Sequence, residues 1–182
     1  MSYTTVKAVW PGKRTSDLEE LPNSHGSAPV VWEAMAGRYL GVTKAYDYPG
    51  KGWMQLDNEL WDLYKRKDIP LEHRAVFMLT FDRAYVEKRN YEAMAAAIRQ
   101  FLMDFPPKLG HANHWPRLAE LFESKPRPPA IGLYVTSVSE DPFLGPWNEK
   151  KDRYDKLDWK TAYELFDVLA AAERLIKKGD EE

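Results

Sequence analysis

The stretch AVFMLTF, residues 75–81, is an almost unbroken apolar run set between the charged segment LEHR and the pair Asp82-Arg83. Seven residues suit a strand and fall short of the usual length of a buried helix, so residues 75–81 are expected to form a central strand covered on both faces. Residues 82–86 either carry that strand past a bulge or turn back as a hairpin. Asn90 then offers an N-cap to a helix on which Tyr91, Met94, Ile98, Phe101 and Phe105 follow the helical period.

Working outward, residues 131–138 alternate Ile131, Leu133 and Val135 against Gly132, Tyr134 and Thr136, the pattern of a half-buried or edge strand pairing near 75–81. A further strand is expected over 4–10, stopped by Pro11 and Gly12, and a weaker one at 42–48. Residues 13–28 read as a polar surface loop ending in Ser27, the expected N-cap of a helix over 28–40. Its apolar face carries Val31, Met35 and Tyr39, with Trp32 and Ala36 alongside. Asp57 is placed to cap a short helix to about 65, with Leu56 and Trp61 at the positions of a hydrophobic staple. Asn113 precedes a helix with Trp115, Leu118, Ala119 and Phe122 on one side, and Asp158 precedes one over 159–178 that buries Ala162, Phe166, Leu169, Ala172 and Ile176. Between them, 139–157 is a long charged loop, and 179–182 should fray.

The sum is a single α+β domain over 1–182: a small mixed or antiparallel sheet of three to five strands, with four or five helices packed mainly on one face. Composition agrees. Of the 182 residues 44% are hydrophobic and 13% aromatic, enough apolar surface to offset the entropy of ordering. Lys and Arg number 26 against 28 Asp and Glu, and no third of the chain is polarised, so nucleic-acid binding is not expected. With no cysteine there are no disulfides, thiolate metal sites or thiol nucleophiles. The opening MSYTTVKAVW lacks the apolar core of a signal peptide and no run is long enough to cross a bilayer, which makes the cytoplasm the expected compartment.

No motif carries a diagnostic chemistry. Asp82, Glu140 and Asp141 follow expected strands, and parallel neighbours would gather them at one end of the sheet as metal ligands or as an acid and a base. Solvated strand-end turns are the commoner use of such residues. His111 and His114 are the nearest approach to a metal pair, without the further ligands that zinc requires. Ser24-His25 has no nucleophile elbow near it, and PGKGW at 49–53 lacks the spacing of a phosphate loop. Lys65, Arg66 and Lys67, and likewise Lys150, Lys151 and Arg153, are each interleaved with acids.

Aromatics at turns remain. Trp10, Trp53, Trp115 and Trp147, four of seven tryptophans, adjoin proline or glycine, and Phe143 lies near the last. Aromatic side chains give large contact area at low entropic cost, so these five residues are the expected contact surface of a non-enzymatic module that binds another protein. A possible homo-oligomer is included in that expectation, and no cofactor is expected. The competing expectation is a small hydrolase or transferase built on the strand-end carboxylates, with a divalent metal.

Overall fold

The computed structural model describes residues 3–10, 15–22, 24–46, 50–56, 58–135, 141–157 and 165–177. In chain order, β1 (Tyr3–Val9), β2 (Ser16–Pro22) and α1 (Ala28–Leu40) are followed by α2 (Asn58–Trp61), α3 (Leu71–Leu79), β3 (Ala84–Glu87), α4 (Tyr91–Asp104) and α5 (Trp115–Glu123). Then come β4 (Ala130–Tyr134), β5 (Trp147–Asn148), β6 (Arg153–Tyr154), β7 (Phe166–Asp167) and α6 (Val168–Lys177). Five strands make a mixed sheet in the order β2-β1-β4-β3-β7, antiparallel except for the β3–β7 pair, while β5 and β6 form a separate hairpin. The α+β class, the mixed sheet and the strand count are as read from the sequence.

The stretch at 75–81 is not a strand. It belongs to α3, which starts earlier, at Leu71 behind Pro70, so that His73 and Arg74 lie inside the helix instead of flanking it. Every residue from 73 to 80 is buried, because α1, α4, α6 and β3 all pack against this one helix. A helix covered on every side needs no polar stripe, and without a stripe its period vanishes from the sequence. Helix α1 lies against it through Trp32, whose indole N–H donates to Thr80 Oγ1 at 2.9 Å.

The sheet needed a different centre, and β4 supplies it. It pairs with β1 on one side and β3 on the other, so the half-buried or edge strand expected there is an interior strand. The supposed loop at 13–28 contains β2, an edge strand whose DLEEL side chains are mostly exposed apart from Leu21. Charge on an edge strand deters pairing with another molecule and also hides the strand from hydrophobic patterning. No strand forms at 42–46; its carbonyls at Lys44 and Ala45 instead accept from the N–H groups of Trp53 and Met54.

Alternation sorts the sheet's side chains into two faces. Val6, Ile131, Leu133, Ala84 and Val86 enter the helix-side core. Val9 and Ala130 point the other way and meet Phe143 in a small second cluster. At the C-terminal edge, Asp167 accepts from Glu87 N at 2.9 Å and Asn90 Nδ2 at 3.2 Å, and it caps α6 through Ala170 N at 2.8 Å. Helix α6 therefore starts at Val168, with Phe166 in β7; Asp158, the cap expected for an earlier start, lies outside the described residues, as do Asp57 and 179–182. Ser27 and Asn90 precede their helices as expected, but neither side chain caps. The loop expected over 139–157 holds the β5–β6 hairpin.

A helix enclosed on all sides tolerates loss of volume poorly. Phe77→Ala in α3 should cost about 3–5 kcal/mol, whereas Leu18→Thr on the exposed face of β2 should stay within about 0.5 kcal/mol, both read from urea denaturation.

Candidate functional site

The helix-free face of the sheet is where the chain gathers its polar chemistry. Lys7 on β1, Gly132 and Tyr134 on β4 and Tyr85 on β3 share this face by alternation, and the segment from Asp141 folds across it. Phe143 is fully buried there, seated over Gly132, where a Cβ would come within 2.1 Å of the ring. The glycine leaves the space that the ring fills. Asp141 sets the turn by accepting from Phe143 N at 3.0 Å.

The same Asp141 reaches the Lys7 ammonium at 2.7 Å, and Asp17, the cross-strand neighbour on β2, reaches it at 2.6 Å. The side chains of Lys7 and Asp141 retain only 11% and 9% of their exposure. Burial opposes the charge on Lys7, but hydrogen bonds to Asp141 and Asp17 outweigh it and raise the ammonium above the ordinary lysine range. Such a lysine stays charged at neutral pH and acts as a counter-ion, not as a nucleophile.

Beside this pair, burial raises the Tyr134 phenol, reinforced by the charges of Asp141 and Asp82 and opposed by Lys7. Because β3 and β4 run antiparallel, the start of one and the end of the other share an end of the sheet, so Asp82 and Asp141 both bear on this hydroxyl. Both carboxylates are expected from the sequence to follow strands and to meet only if those strands run parallel; Asp82 instead precedes β3, which brings it to the Asp141 end of an antiparallel pair. Glu140 lies outside the described residues.

The turn-borne aromatics do not share a face. Trp115 is fully buried, with its indole N–H donating to the Ser27 carbonyl at 2.8 Å, and Trp53 is buried edge-on to Trp32 at 6.3 Å. With Phe143 also in the interior, three of the five expected contact residues are core, and Trp10 is half-buried. Proline and glycine neighbours here mark chain reversals that tuck rings inward. Gly52 illustrates it: a Cβ there would meet the Ala45 carbonyl at 2.4 Å, an approach that lets Trp53 turn into the core.

Trp147 is the exception, at 50% exposed on β5. Its ring stands edge-on to Tyr154 of β6 at 5.0 Å, and Tyr154 is itself 46% exposed. Asn148 stiffens the hairpin, donating to Asp155 Oδ2 at 2.8 Å and accepting from Lys151 N at 3.2 Å.

His111 is exposed, and His114 is committed elsewhere, its Nε2 lying 2.9 Å from the Pro22 carbonyl while its backbone N–H donates to Gly26 O. Among the described residues no group of three or more His, Asp or Glu is placed to hold a metal ion. The histidine that sequence reading passed over is His73. Buried in α3, it bridges the Tyr39 hydroxyl at 2.6 Å through Nδ1 and Asp104 at 2.8 Å through Nε2, against the rings of Phe101 and Phe105. Hydrogen bonds from Gln100 and His73 hold Asp104 below the usual carboxylate range. The basic groups are locally neutralised: Lys65 pairs with Asp62 at 2.7 Å, Arg66 with Asp68 at 2.5 Å and Lys151 with Asp155 at 3.5 Å.

No protein-family model matches the chain, and no curated protein or solved structure matches it. Its chemistry is therefore read from its own side chains. Among the described residues no helix is long and apolar enough to cross a membrane.

Removing Lys7 would strand Asp141 in the interior. Lys7→Met should lose about 3–5 kcal/mol at neutral pH, since breaking a buried pair from one side leaves an uncompensated charge. The folded-state pKa of Lys7 is raised, so this contribution is complete below the ordinary value near 10.5 and is lost as pH climbs through the higher folded-state value. Thermal melts of wild type and variant should converge only in that alkaline range. Gly132→Ala, which drives a methyl into Phe143, should cost about 1–3 kcal/mol by the same measurement.

Proposed function

We propose that this chain is a non-enzymatic protein-binding module of the inhibitor, immunity or phage-accessory type, with a contact surface centred on Trp147 and Tyr154. One observation carries the reading: two large aromatic rings, each about half exposed, are held edge-to-face on a hairpin that its own side chains stiffen. Rings fixed before binding lose little entropy on contact, and aromatic anchors dominate interface energetics. Around them stand Glu149, Lys150, Lys151, Asp152 and Arg153, all exposed and of both signs, the composition of a polar rim around an apolar anchor. Mixed charge favours a protein partner over nucleic acid, and the absence of cysteine fits a cytoplasmic setting.

The enzymatic alternative draws on Asp82 and Asp141, which both act on Tyr134. Its weakness is that Asp141 is already engaged by Lys7 and by Phe143 N. Saturable thermal stabilisation by Mg²⁺ or a nucleotide, lost in Asp82→Asn, would favour it.

The binding reading is tested by comparing wild type with Trp147→Ala/Tyr154→Ala as affinity baits in native extract. Both rings are surface groups, so the double variant should keep its melting temperature within a few degrees and lose at least tenfold in partner recovered. Equal recovery by both baits would overturn the proposal. Light scattering of the pure protein shows whether the partner is a second copy.

A further inference from the structure

Arg74 is 1% exposed, and its Nε and Nη1 are sealed from solvent with no hydrogen-bond partner. A guanidinium is rarely left so. It keeps its proton in proteins and presents a rigid fork of donors, and burying such a charge without an acceptor is strongly unfavourable. Its surroundings make the deficit worse. Helical spacing puts Leu71 and Met78 on the same stripe of α3, and both pack into or against the apolar core. Burial accordingly pushes the Arg74 pKa down, with only the charge of Glu72 opposing. Glu72, half-buried two residues earlier, forms no ion pair with Arg74 among the described residues.

The position of Arg74 along the helix adds a second set of donors. Its own N–H is the first in α3 to reach back, to the Pro70 carbonyl at 3.1 Å, so the N–H groups of Leu71, Glu72 and His73 precede the helical ladder. No side chain caps this end of the helix. Side chains on a helix lean toward its N-terminus, so the Arg74 side chain sets out in the direction of those N–H groups. A helix start without a side-chain cap and an unpartnered guanidinium on its first turn together suit a tetrahedral or planar oxyanion, the partial positive charge of the helix end adding to the formal charge of Arg74.

We propose that the N-terminal turn of α3, with Arg74 as its charged member, is a binding site for a small oxyanion of the phosphate or carboxylate class. The site is separate from the Trp147–Tyr154 hairpin, and neither proposal depends on the other. Bound anion would neutralise the charge enclosed beneath the core and stabilise the fold by mass action.

Melting temperatures are measured for wild type, Arg74→Met and Arg74→Lys against inorganic phosphate and, separately, acetate, with chloride at matched ionic strength. For wild type the expected result is a saturable rise of about 5–10 °C at a hundredfold excess over Kd. Arg74→Met, close in volume but uncharged, should lose that response and be at least as stable as wild type in chloride, because the orphaned charge has gone. Arg74→Lys keeps the charge without the fork and should bind at least tenfold more weakly. A flat wild-type titration overturns the proposal. So does a phosphate response that persists in Arg74→Met, or an Arg74→Met protein markedly less stable than wild type in chloride, which would mean that the guanidinium already has an acceptor inside the fold. Should Arg74→Met fail to fold, amide NMR of wild type decides: saturable shifts at Leu71–Arg74 on adding phosphate uphold the site, and their absence removes it.

Discussion

The enclosure of α3 is the constraint to which the rest of the structure answers. One helix is wrapped by α1, α4 and α6 and lies on the sheet at β3, so four elements find their places by covering it. That arrangement explains the sheet's two unlike faces. The helices are committed to one side of it, and the other side must be closed by something cheaper in chain. Phe143 and its turn close it, seated on Gly132 and held down by the Lys7–Asp141 pair. Core packing thus dictates where the buried ions must be, and the buried ions dictate which carboxylates are available for chemistry.

The same enclosure explains how much could be read in the sequence. Helices α4 and α5 lie at the rim, each with one buried side, and their apolar positions kept the helical period visible. In α3 the five residues from 75 to 79 are apolar all round the helix, which is how a buried parallel strand also looks; length was the only arbiter, and nine residues is short for a helix. His73 and Arg74 made matters worse, because charge at 73 and 74 looked like the boundary of an element and was its interior. Strand β2 failed in the opposite way: as a charged edge with only Leu21 turned fully inward, it offered no alternation to detect.

For the candidate site, turn-adjacent tryptophans proved a poor guide to exposure, since a tight turn aims its ring inward as readily as outward. Trp147 differs from Trp53 and Trp115 in standing half-exposed on a hairpin, a matter of tertiary placement that residue neighbours do not encode. Gly132 was the one legible clue to the second face. A glycine at an alternating strand position signals a close approach, and the approaching ring was Phe143. The Lys7 pair had a weaker sign, a lone lysine inside the β-branched run of the first strand.

The two ends of the sheet have a consequence for how the molecule behaves in company. Strand β2 presents Asp17, Glu19 and Glu20 along one border, and β7 offers only Phe166 and Asp167 along the other, its aspartate already occupied by Glu87, Asn90 and the start of α6. Charge along β2 and the shortness of β7 make each described border a poor template for a foreign strand. Association by backbone pairing, a route to fibrils, is disfavoured at both described edges, which shifts assembly into larger complexes toward side-chain contacts.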